Sequence, residues 1–456
     1  MSEQKIPYNQ IDFVVLAPKF RIVFSYMKDQ GVSFVREYLL RLLKLTPCKP
    51  TQIAKYFGFS KHETEIALTD LERNRWINWQ TDGTIALSAE GLQLFQGESP
   101  QIPNLQEHGG TYCMELLDRN FLQQKDYDKT NIQAIELSVE NEVRSNRKAL
   151  AQKAFQHRFR QLLEDDIISL NDKDIVLYKI DVIESKGDSY FRFTQYFELL
   201  PETGEPKERH DVPNVQYQDY IQQAITAKIE QYRWHDNLRE LRESMNELGD
   251  DDTLKVLFGG RLDFAEFLKM HQKYDEQNGL YFLGQIYHQE EMFKKINSIL
   301  DKLDKKSQKK LYWLAPSDIY WGKQRKIHDK IQNFIDKSKD KYDFRLYLPM
   351  PSEYNNREKQ YQHKFKEISK KHLYAFCEGF LEGNTEILFL EDKFAVVCYH
   401  AKLADYPVTL PIGFMTTKAS EVGFIQSLAE KYLSSIQSDK GYGIKDFGLL
   451  EKIDYS

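Results

Sequence analysis

The stretch from residue 50 to residue 76 constrains the fold more than any other part of the sequence, because it carries its own start and stop signals. Pro50 suits the first turn of a helix, where no backbone N–H is required. Gly58 suits the left-handed conformation that ends a helix. Ser60 and Glu63 then form the S-x-x-E pattern of a capping box, which begins a second helix. The sequence therefore predicts two helices joined by a tight turn.

The segments on either side extend this pair into an ordered series. SFVREYLLRLLKL, which begins at Ser33, has the apolar spacing of an amphipathic helix. After the pair, WINWQTDGTIALS contains two β-prone runs around the hairpin dipeptide Asp82-Gly83, and SAEGLQLF closes the series as a helix. In this order, residues 33–96 resemble the winged-helix superfamily. Members of that superfamily often place the second helix of the pair in the major groove of DNA.

Applied to this sequence, the resemblance implies that the helix beginning at Ser60 faces DNA. The residues best placed to face outward are Lys61, His62, Glu65 and Thr69. Between Ser60 and Arg75, however, three cations stand against four anions, whereas affinity for DNA comes largely from neutralised phosphates. Two hypotheses stay open: a DNA-binding helix that uses Lys61, His62 and Thr69, or a module that docks a protein partner.

The charge of the chain is unevenly distributed. The formal charge of the 456 residues is -6, which argues against nucleic-acid binding over the whole surface. From Lys294 to Lys371, however, there are 21 lysines and arginines and only 10 aspartates and glutamates. Aromatic residues lie among them, a composition typical of surfaces that neutralise phosphates and stack bases. The alternative is that these charges form solvated helix faces. The candidate nucleic-acid contacts in this segment are Lys309, Lys310, Lys323, Arg325, Lys326, Lys370 and Lys371.

The sequence from Thr253 onward alternates short apolar runs with helical patterns, which predicts a layered α/β domain with helices packed on a sheet. The runs are LKVLFGG, LYFLGQIY, KLYWLAPS and FRLYLPMP, and TEILFLEDKFAVVCYHAKL is typical of a hairpin that turns at residues 391–393. A Gly259-Gly260 pair follows the first run and precedes a helical pattern, which is typical of a tight turn between a strand and a helix.

Residues 253–436 resemble the phospholipase D-like superfamily in this order of elements and in one tripeptide. His400-Ala401-Lys402 matches the H-x-K part of that family's signature at the end of an apolar run. The resemblance implies that His400 and Lys402 act on a phosphodiester. The position of the family's aspartate is taken by Pro407, so a degenerate, binding-only version is favoured over a phosphodiesterase. A second tripeptide, His271-Gln272-Lys273, lies in a helical pattern.

These patterns together predict a multidomain protein of mixed α/β and α+β class. A winged helix with an N-terminal extension spans 1–100, a central region of helix and β-hairpin spans 101–250, and the α/β domain spans 251–456. Two short apolar runs interrupted by Pro18 form the extension. The central region is expected to contain a hairpin around Lys186-Gly187-Asp188 and a long helix from about Tyr217 to Leu248.

The sequence contains no further signature of catalysis, and no cofactor is predicted. It has neither a phosphate-binding G-x(4)-G-K-[ST] loop nor a G-x-G-x-x-G turn. Its 4 cysteines lie far apart without the spacing of zinc ligands, which predicts no metal site and fits a reducing cytoplasm. Neither a signal peptide nor a membrane span is evident, so no membrane partner is expected.

Three functions remain open. The first is a nucleic-acid-associated, non-catalytic protein that binds or senses DNA through a local basic surface and works with protein partners. Winged helices joined to phospholipase D-like domains occur among transcription regulators and antiviral-defence proteins, so the two resemblances imply such a role. The second is a phosphodiesterase or nuclease that uses His400 and Lys402. The third is an interaction scaffold that docks partners through the winged helix.

Overall fold

The chain is a mixed α/β protein with several layers. The computed structural model describes residues 6–31, 33–95, 100–207, 219–233, 235–273, 279–304, 309–338, 341–351, 357–436 and 443–453. Within these ranges the helices are α1 (Phe34–Leu45), α2 (Pro50–Phe57), α3 (Lys61–Arg73), α4 (Ala89–Gln93), α5 (Asn141–Ser145), α6 (Arg147–Glu164), α7 (Asp219–Gln231), α8 (Leu238–Leu248), α9 (Asp251–Val256), α10 (Phe264–Lys273), α11 (Glu290–Asp301), α12 (Lys326–Ser338), α13 (Arg357–Lys364) and α14 (Ala419–Ser434). None of these helices is long and apolar enough to cross a membrane.

The strands form three sheets. They are β1 (Ile6–Gly31), β2 (Ile77–Trp79), β3 (Ile85–Leu87), β4 (Gln101–Met114), β5 (Phe121–Leu122), β6 (Tyr127–Asp128), β7 (Ile135–Glu136), β8 (Ile175–Leu199), β9 (Pro206–Lys207), β10 (Gly279–Leu283), β11 (Lys309–Leu314), β12 (Tyr342–Met350), β13 (Leu373–Cys377), β14 (Thr385–Leu390), β15 (Phe394–Ala401), β16 (Leu410–Thr416) and β17 (Asp446–Leu449). A 7-stranded sheet has the order β5-β4-β1-β8-β6 with β7 on β1 and β9 on β8, an 8-stranded sheet has the order β10-β16-β15-β14-β11-β12-β13-β17, and β2 pairs with β3.

Strand β1 is the centre of the 7-stranded sheet. It pairs antiparallel with β8 along most of its length, from Ile6 opposite Leu199 to Lys28 opposite Ile175. Its second half also pairs antiparallel with β4. Because β1 has a partner strand on each side there, most of its side chains are buried, as is usual for a central strand.

Two sequence predictions for this sheet are wrong. Pro18 does not separate two short runs, because β1 continues through it, and β4 pairs with β1 only from Lys19 onward. The missing N–H of the proline therefore interrupts no rung of that ladder. Lys186-Gly187-Asp188 is not a hairpin turn, because β8 runs through it. The ladder with β1 skips Lys186, and Gly187, at φ 111°, lies in a β-bulge where the sequence predicts a turn.

Residues 33–95 form a unit of their own between β1 and β4. Gly31 at the end of β1 lies opposite Gln101 at the start of β4, so the chain leaves the sheet and returns to it on the same rung. The unit has a separate apolar core in which residues of α1, such as Leu39 and Leu43, pack on residues of α2 and α3. The 7-stranded sheet thus takes strands from both sides of the domain boundary predicted near residue 100.

The local signals predicted in this unit are confirmed. The backbone N–H of Glu63 donates to Ser60 Oγ at 3.2 Å, and the N–H of Ser60 donates to the Glu63 carboxylate at 2.8 Å. Gly58 ends α2 with φ 72°. Strands β2 and β3 pair as a hairpin and α4 follows them, so the order of elements is the predicted one.

The 8-stranded sheet is covered on both faces, as a layered α/β domain requires. Side chains of α11 and α12 pack on one face together with Trp313 and Val396. Side chains of α8, α9, α10 and α14 pack on the other face together with Tyr312 and Val397. The hairpin predicted at residues 391–393 is confirmed, with β14 antiparallel to β15.

Two further predictions near residue 250 are corrected. LKVLFGG is not a strand, because its first three residues end α9 and its last three form a 3-10 turn. Asp250 caps the first turn of α9 by accepting a hydrogen bond from Thr253 N at 3.0 Å. The long helix predicted from Tyr217 consists of α7 and α8 with a break between them, and its predicted first residues lie outside the described ranges. The core that contains α8 includes residues from Tyr8 to Leu433, so it extends across the boundary predicted at residue 250.

Candidate functional site

Three strands of the 8-stranded sheet end at the same edge. β11 is parallel to β12, and β14 is antiparallel to both β11 and β15, so β15 runs in the same direction as β11. Ligands of open α/β sheets bind in the crevice beyond the carboxyl ends of such strands. Asp318 follows β11, Arg357 follows β12 and Lys402 follows β15, and all three contribute to one cleft at this edge.

His400, near the end of β15, lies beneath this edge and is only 1% exposed. Its Nδ1 is 2.8 Å from Asp318 Oδ2, and its Nε2 is 3.1 Å from Glu386 Oε2. Asn237, next to α8, fixes the end of the strand: its amide donates to the His400 carbonyl at 3.0 Å and accepts from Lys402 N at 2.7 Å. The imidazole is therefore held by a carboxyl group at each ring nitrogen, and Asn237 holds the backbone of its strand.

Glu386 completes a buried group of charges. It is 0% exposed, and its Oε1 accepts the indole N–H groups of Trp313 and Trp321 at 2.6 and 2.8 Å. Thr409 also donates its hydroxyl to Asp318 at 3.0 Å. Each buried polar group thus has hydrogen-bond partners, as a buried charged cluster requires. We call Asp318, Glu386 and His400 the buried ion cluster.

The charges of the cluster follow from these contacts. Burial alone would lower the pKa of His400, but its hydrogen bonds with Asp318, Cys398 and Glu386 outweigh burial and raise that pKa well above the ordinary value. Burial alone would raise the pKa of Asp318, but the hydrogen bond and the charge of His400 lower it below the ordinary value. These two shifts favour a protonated imidazole beside an ionised Asp318, with the side chain of Glu386 on the other side of the ring. Neither ring nitrogen of His400 is available to a substrate in this arrangement.

Glu386, Cys398 and His400 also have potential metal-ligating atoms within 4.8 Å of one another. Burial raises the pKa of the Cys398 thiol to about 11, which disfavours the thiolate that a metal requires. The carboxylate of Glu386 already accepts two indole N–H groups. A protonated thiol and a carboxylate that already accepts hydrogen bonds are poor metal ligands.

The cleft above the cluster has a volume of about 490 Å³. Its basic side chains come from three segments of the chain, and Asp318 is its acidic lining residue among those described. We call it the basic cleft, and its basic side chains are Lys323, Arg357, His363, Lys364 and Lys402. Other lining residues are Trp321, Tyr361 and the segment 131–134.

Lys364 is held in place by Trp321. Its Nζ donates to the Trp321 carbonyl at 2.8 Å and lies 4.8 Å from the centroid of the indole ring. Gly322 makes this approach possible, since a Cβ there would lie 2.8 Å from Lys364 Nζ. Burial and the charge of Lys323 lower the pKa of Lys364 well below its ordinary value, and burial and Lys228 lower that of Lys323. Keeping Lys323 and Lys364 charged in the cleft therefore costs folding free energy.

The 7-stranded sheet supplies the opposite wall of the cleft. Its segment 131–134 is held by Arg192, which donates to the Ile132 carbonyl at 2.7 Å and pairs with Asp12 at 3.0 Å. Gln133 in this segment has φ 53° and is 3% exposed, and its Nε2 has no hydrogen-bond partner among the described residues. Strained backbone and unpartnered buried donors are uncommon and mark candidate binding sites.

The structure separates the basic residues that the sequence predicts as nucleic-acid contacts. Lys323 lines the basic cleft, together with Lys402. Lys309 and Lys310 begin β11, and Lys370 and Lys371 precede β13, so these four lie at the opposite edge of the sheet. Arg325 pairs with Asp128, and Lys326 is exposed beside a different cleft. The predicted contacts do not form one surface.

Helix α3 has a different environment. Lys61 and Thr69 line a groove of about 530 Å³ between α2, α3 and Trp79, while His62 is exposed outside it. Leu68 and Ala54 also line this groove. His271, the other predicted H-x-K histidine, lies on α10, where its Nδ1 hydrogen-bonds the carbonyl of Tyr281 on the edge strand β10.

Sequence reasoning missed the partners of His400 and most of the cleft. Asp318 has a local signal, because it follows the apolar run KLYWLAP, and polar residues just after a strand of an α/β domain gather at the ligand-binding edge. Lys364 and Arg357 belong to the basic segment but have no feature that distinguishes them from its other cations. Glu386 and Gln133 have no such signal.

The sequence matches no protein-family model and none of the curated proteins with which it was compared.

Proposed function

We propose that the protein binds nucleic acid without hydrolysing it and that the basic cleft receives its phosphate groups. The observation that carries this proposal is the convergence of three lysines, an arginine and a histidine on one cleft at the carboxyl ends of parallel strands. Charge-assisted hydrogen bonds from such groups are the usual means of holding phosphate oxygens. The resemblance of residues 33–96 to winged helices supports nucleic acid as the carrier of these phosphates.

The same geometry argues against hydrolysis by His400. A nucleophilic or acidic histidine must reach the reacting phosphorus or the leaving oxygen at hydrogen-bond distance. His400 is 1% exposed and both of its ring nitrogens lie against carboxylates. Its role in the proposal is to hold Asp318 and, through Glu386, Trp321, in the wall of the cleft.

The test is a fluorescence anisotropy titration of the full-length protein with labelled single-stranded and double-stranded oligodeoxynucleotides at several salt concentrations. Binding through phosphates weakens as salt rises, so we expect an affinity that falls steeply with salt. Lys323→Ala should weaken binding by about tenfold, since a charged hydrogen bond contributes about 1.5–3 kcal/mol. Lys371→Ala is the matched control, because Lys371 belongs to the same basic segment and is exposed at the other edge of the sheet.

The enzyme hypothesis is tested on the same oligonucleotides by gel electrophoresis, with and without added divalent metal. We expect no cleavage. Cleavage that His400→Gln abolishes would overturn the non-catalytic proposal. Binding that is absent, or that Lys323→Ala and Lys371→Ala reduce equally, would remove the basic cleft as the binding site.

A further inference from the structure

We propose that the basic cleft selects a phosphomonoester, that is, a terminal phosphate on a nucleic-acid strand or on a free nucleotide, over the internal phosphodiesters of a strand. This inference rests on the proposed function, because it uses the same cleft, and it narrows the ligand to one chemical group.

The size of the cleft is the first reason. A volume of about 490 Å³ lies within the range of about 300–1,000 Å³ that is typical of small-ligand sites. A duplex is instead bound by surfaces that follow a groove or several successive phosphates. The basic cleft therefore has room for the end of a strand or for one nucleotide.

The balance of charge in the cleft is the second reason. Three lysines, Arg357 and His363 line it, against the single acid Asp318 among the described lining residues, and Arg357 is also paired with Glu378. A phosphomonoester carries a charge of about -1.5 to -2 at neutral pH, compared with about -1 for a phosphodiester. Since Lys323 is near enough for its charge to disfavour the charged form of Lys364, the more highly charged group relieves more of this repulsion.

The rest of the basic segment is the third reason, because several of its cations outside the cleft are already paired with carboxylates. Arg325 pairs with Asp128. Further pairs are Lys309 with Asp392 at 2.9 Å, Lys330 with Glu290 at 2.9 Å, Lys337 with Asp301 at 3.0 Å and Arg345 with Asp343 at 2.7 Å. These paired cations offer fewer open contacts to the internal phosphates of a strand, whereas a terminal group needs only the cleft.

Gln133 is a lining residue of the basic cleft, and its side-chain amide can donate hydrogen bonds. Its side chain is 3% exposed, and its Nε2 has no hydrogen-bond partner among the described residues. An amide N–H donates to phosphate oxygens but adds no charge of its own. A monoester has three terminal oxygens against two in a diester, so it offers one more acceptor to the donors that line the cleft.

The experiment compares one single-stranded oligodeoxynucleotide in three forms, with a phosphate at its 5′ end, at its 3′ end or at neither end. The full-length protein is titrated against each form by anisotropy, and adenosine monophosphate, adenosine and inorganic phosphate are added as competitors. We expect at least one phosphorylated form to bind about tenfold more tightly than the unphosphorylated form. Adenosine monophosphate should compete, and adenosine should not.

Two variants in the cleft, and one control variant outside it, connect the result to the cleft. Lys323→Ala should remove the preference for the phosphorylated form, and Lys371→Ala should retain it. Lys364→Met, which keeps an apolar stem against Trp321, should also reduce the preference. The comparison of ligands on the unaltered protein stays informative if a variant does not fold.

The outcomes separate the inference from the proposed function. Equal binding of all three forms, weakened by Lys323→Ala, would overturn the inference and leave the proposed function standing. Failure of every oligonucleotide to bind, with adenosine monophosphate bound in direct calorimetry, would overturn nucleic acid as the ligand and support a free nucleotide. Binding of neither would overturn both.

Discussion

Helix α3 and the basic cleft both contain basic side chains, but different charges surround them. Between Ser60 and Asn74, which flank α3, glutamates and aspartates outnumber lysines and arginines. Asp70 on this helix pairs with Arg36 of α1, with both side chains about two-fifths exposed. In the basic cleft, cations from separate segments converge around Asp318. What distinguishes the two places is the arrangement of cations in space and not their number along the chain.

The comparison also extends to what lies beneath the two surfaces. The groove beside α3 is lined by apolar side chains such as Ala54, Leu68 and Trp79, the last of which is 50% exposed, with Lys61, Glu65 and Glu72 as its charged lining residues. Beneath the basic cleft lies the buried ion cluster, which fixes Asp318 and Trp321 in position. Pre-organised groups favour a small charged ligand, while an exposed apolar groove is more suited to a protein partner.

The largest effect is expected when the buried ion cluster loses a charge. Glu386→Ala leaves His400 with Asp318 as its carboxylate partner and leaves the indole N–H groups of Trp313 and Trp321 without their acceptor. The free energy of unfolding should therefore fall by about 3–5 kcal/mol. Asp70→Ala, which breaks the exposed pair with Arg36, should cost about 1 kcal/mol or less. Urea unfolding followed by tryptophan fluorescence and circular dichroism measures both.

Glu386→Gln provides the control for this prediction. Its amide oxygen can accept the two indole N–H groups while its NH₂ donates to a neutral His400, so it should retain most of the stability that Glu386→Ala loses. Equal destabilisation by Glu386→Ala and Asp70→Ala would contradict the contrast between a buried and an exposed ion pair.

The sequence predicts the unit at residues 33–95 well because its signals are local. Ser60 and Glu63 are three residues apart and Gly58 ends its own helix, so no distant partner is needed to recognise them. The opposite holds for β8, where Lys186-Gly187-Asp188 has the composition of a turn. Its partner is β1, and pairing across that distance in sequence overrides the local preference.

The same distinction applies to the candidate site. The tripeptide at His400 lies at the edge of the sheet where the basic cleft is, but the partners of His400 lie on β14 and after β11. The order of strands in the sheet brings them together, and no spacing in the sequence encodes that order. The charge of the basic segment has the same limit, since the sequence does not separate Lys323 in the cleft from Lys371 at the opposite edge.

The second largest effect is expected from reversing a charge in the basic cleft. Lys323→Glu replaces an attraction with a repulsion next to Lys364 and Asp318, so the affinity for a phosphorylated strand should fall by more than about tenfold. The slope of affinity against salt should also decrease. Lys371→Glu has the same change of charge at the opposite edge and should reduce affinity by less than about threefold. Similar losses in the two variants would show that general charge, and not the cleft, determines binding.

A smaller effect is expected from pH. Burial lowers the pKa of Lys364 and of Lys323, so both lose positive charge below the ordinary range of lysine, near about 10.4. The affinity for a phosphorylated strand should therefore fall several-fold as the pH is raised from neutral toward about 10, a range in which the phosphate itself stays ionised. The double variant Lys323→Ala, Lys364→Met should show a flatter pH dependence. An affinity of the unaltered protein that is constant over this range would mean that neither lysine titrates there.

The smallest effect is expected at α3. Lys61→Ala removes a cation from a helix whose acids already outnumber its bases, so the affinity for a DNA duplex should change by less than about twofold, or about 0.4 kcal/mol. The matched comparison is Lys323→Ala, measured with the same duplex and salt series. If Lys61→Ala and His62→Ala each reduce affinity for the duplex by tenfold or more while Lys323→Ala does not, then α3 is the DNA contact. The difference in charge arrangement between the two regions would in that case not determine where nucleic acid binds.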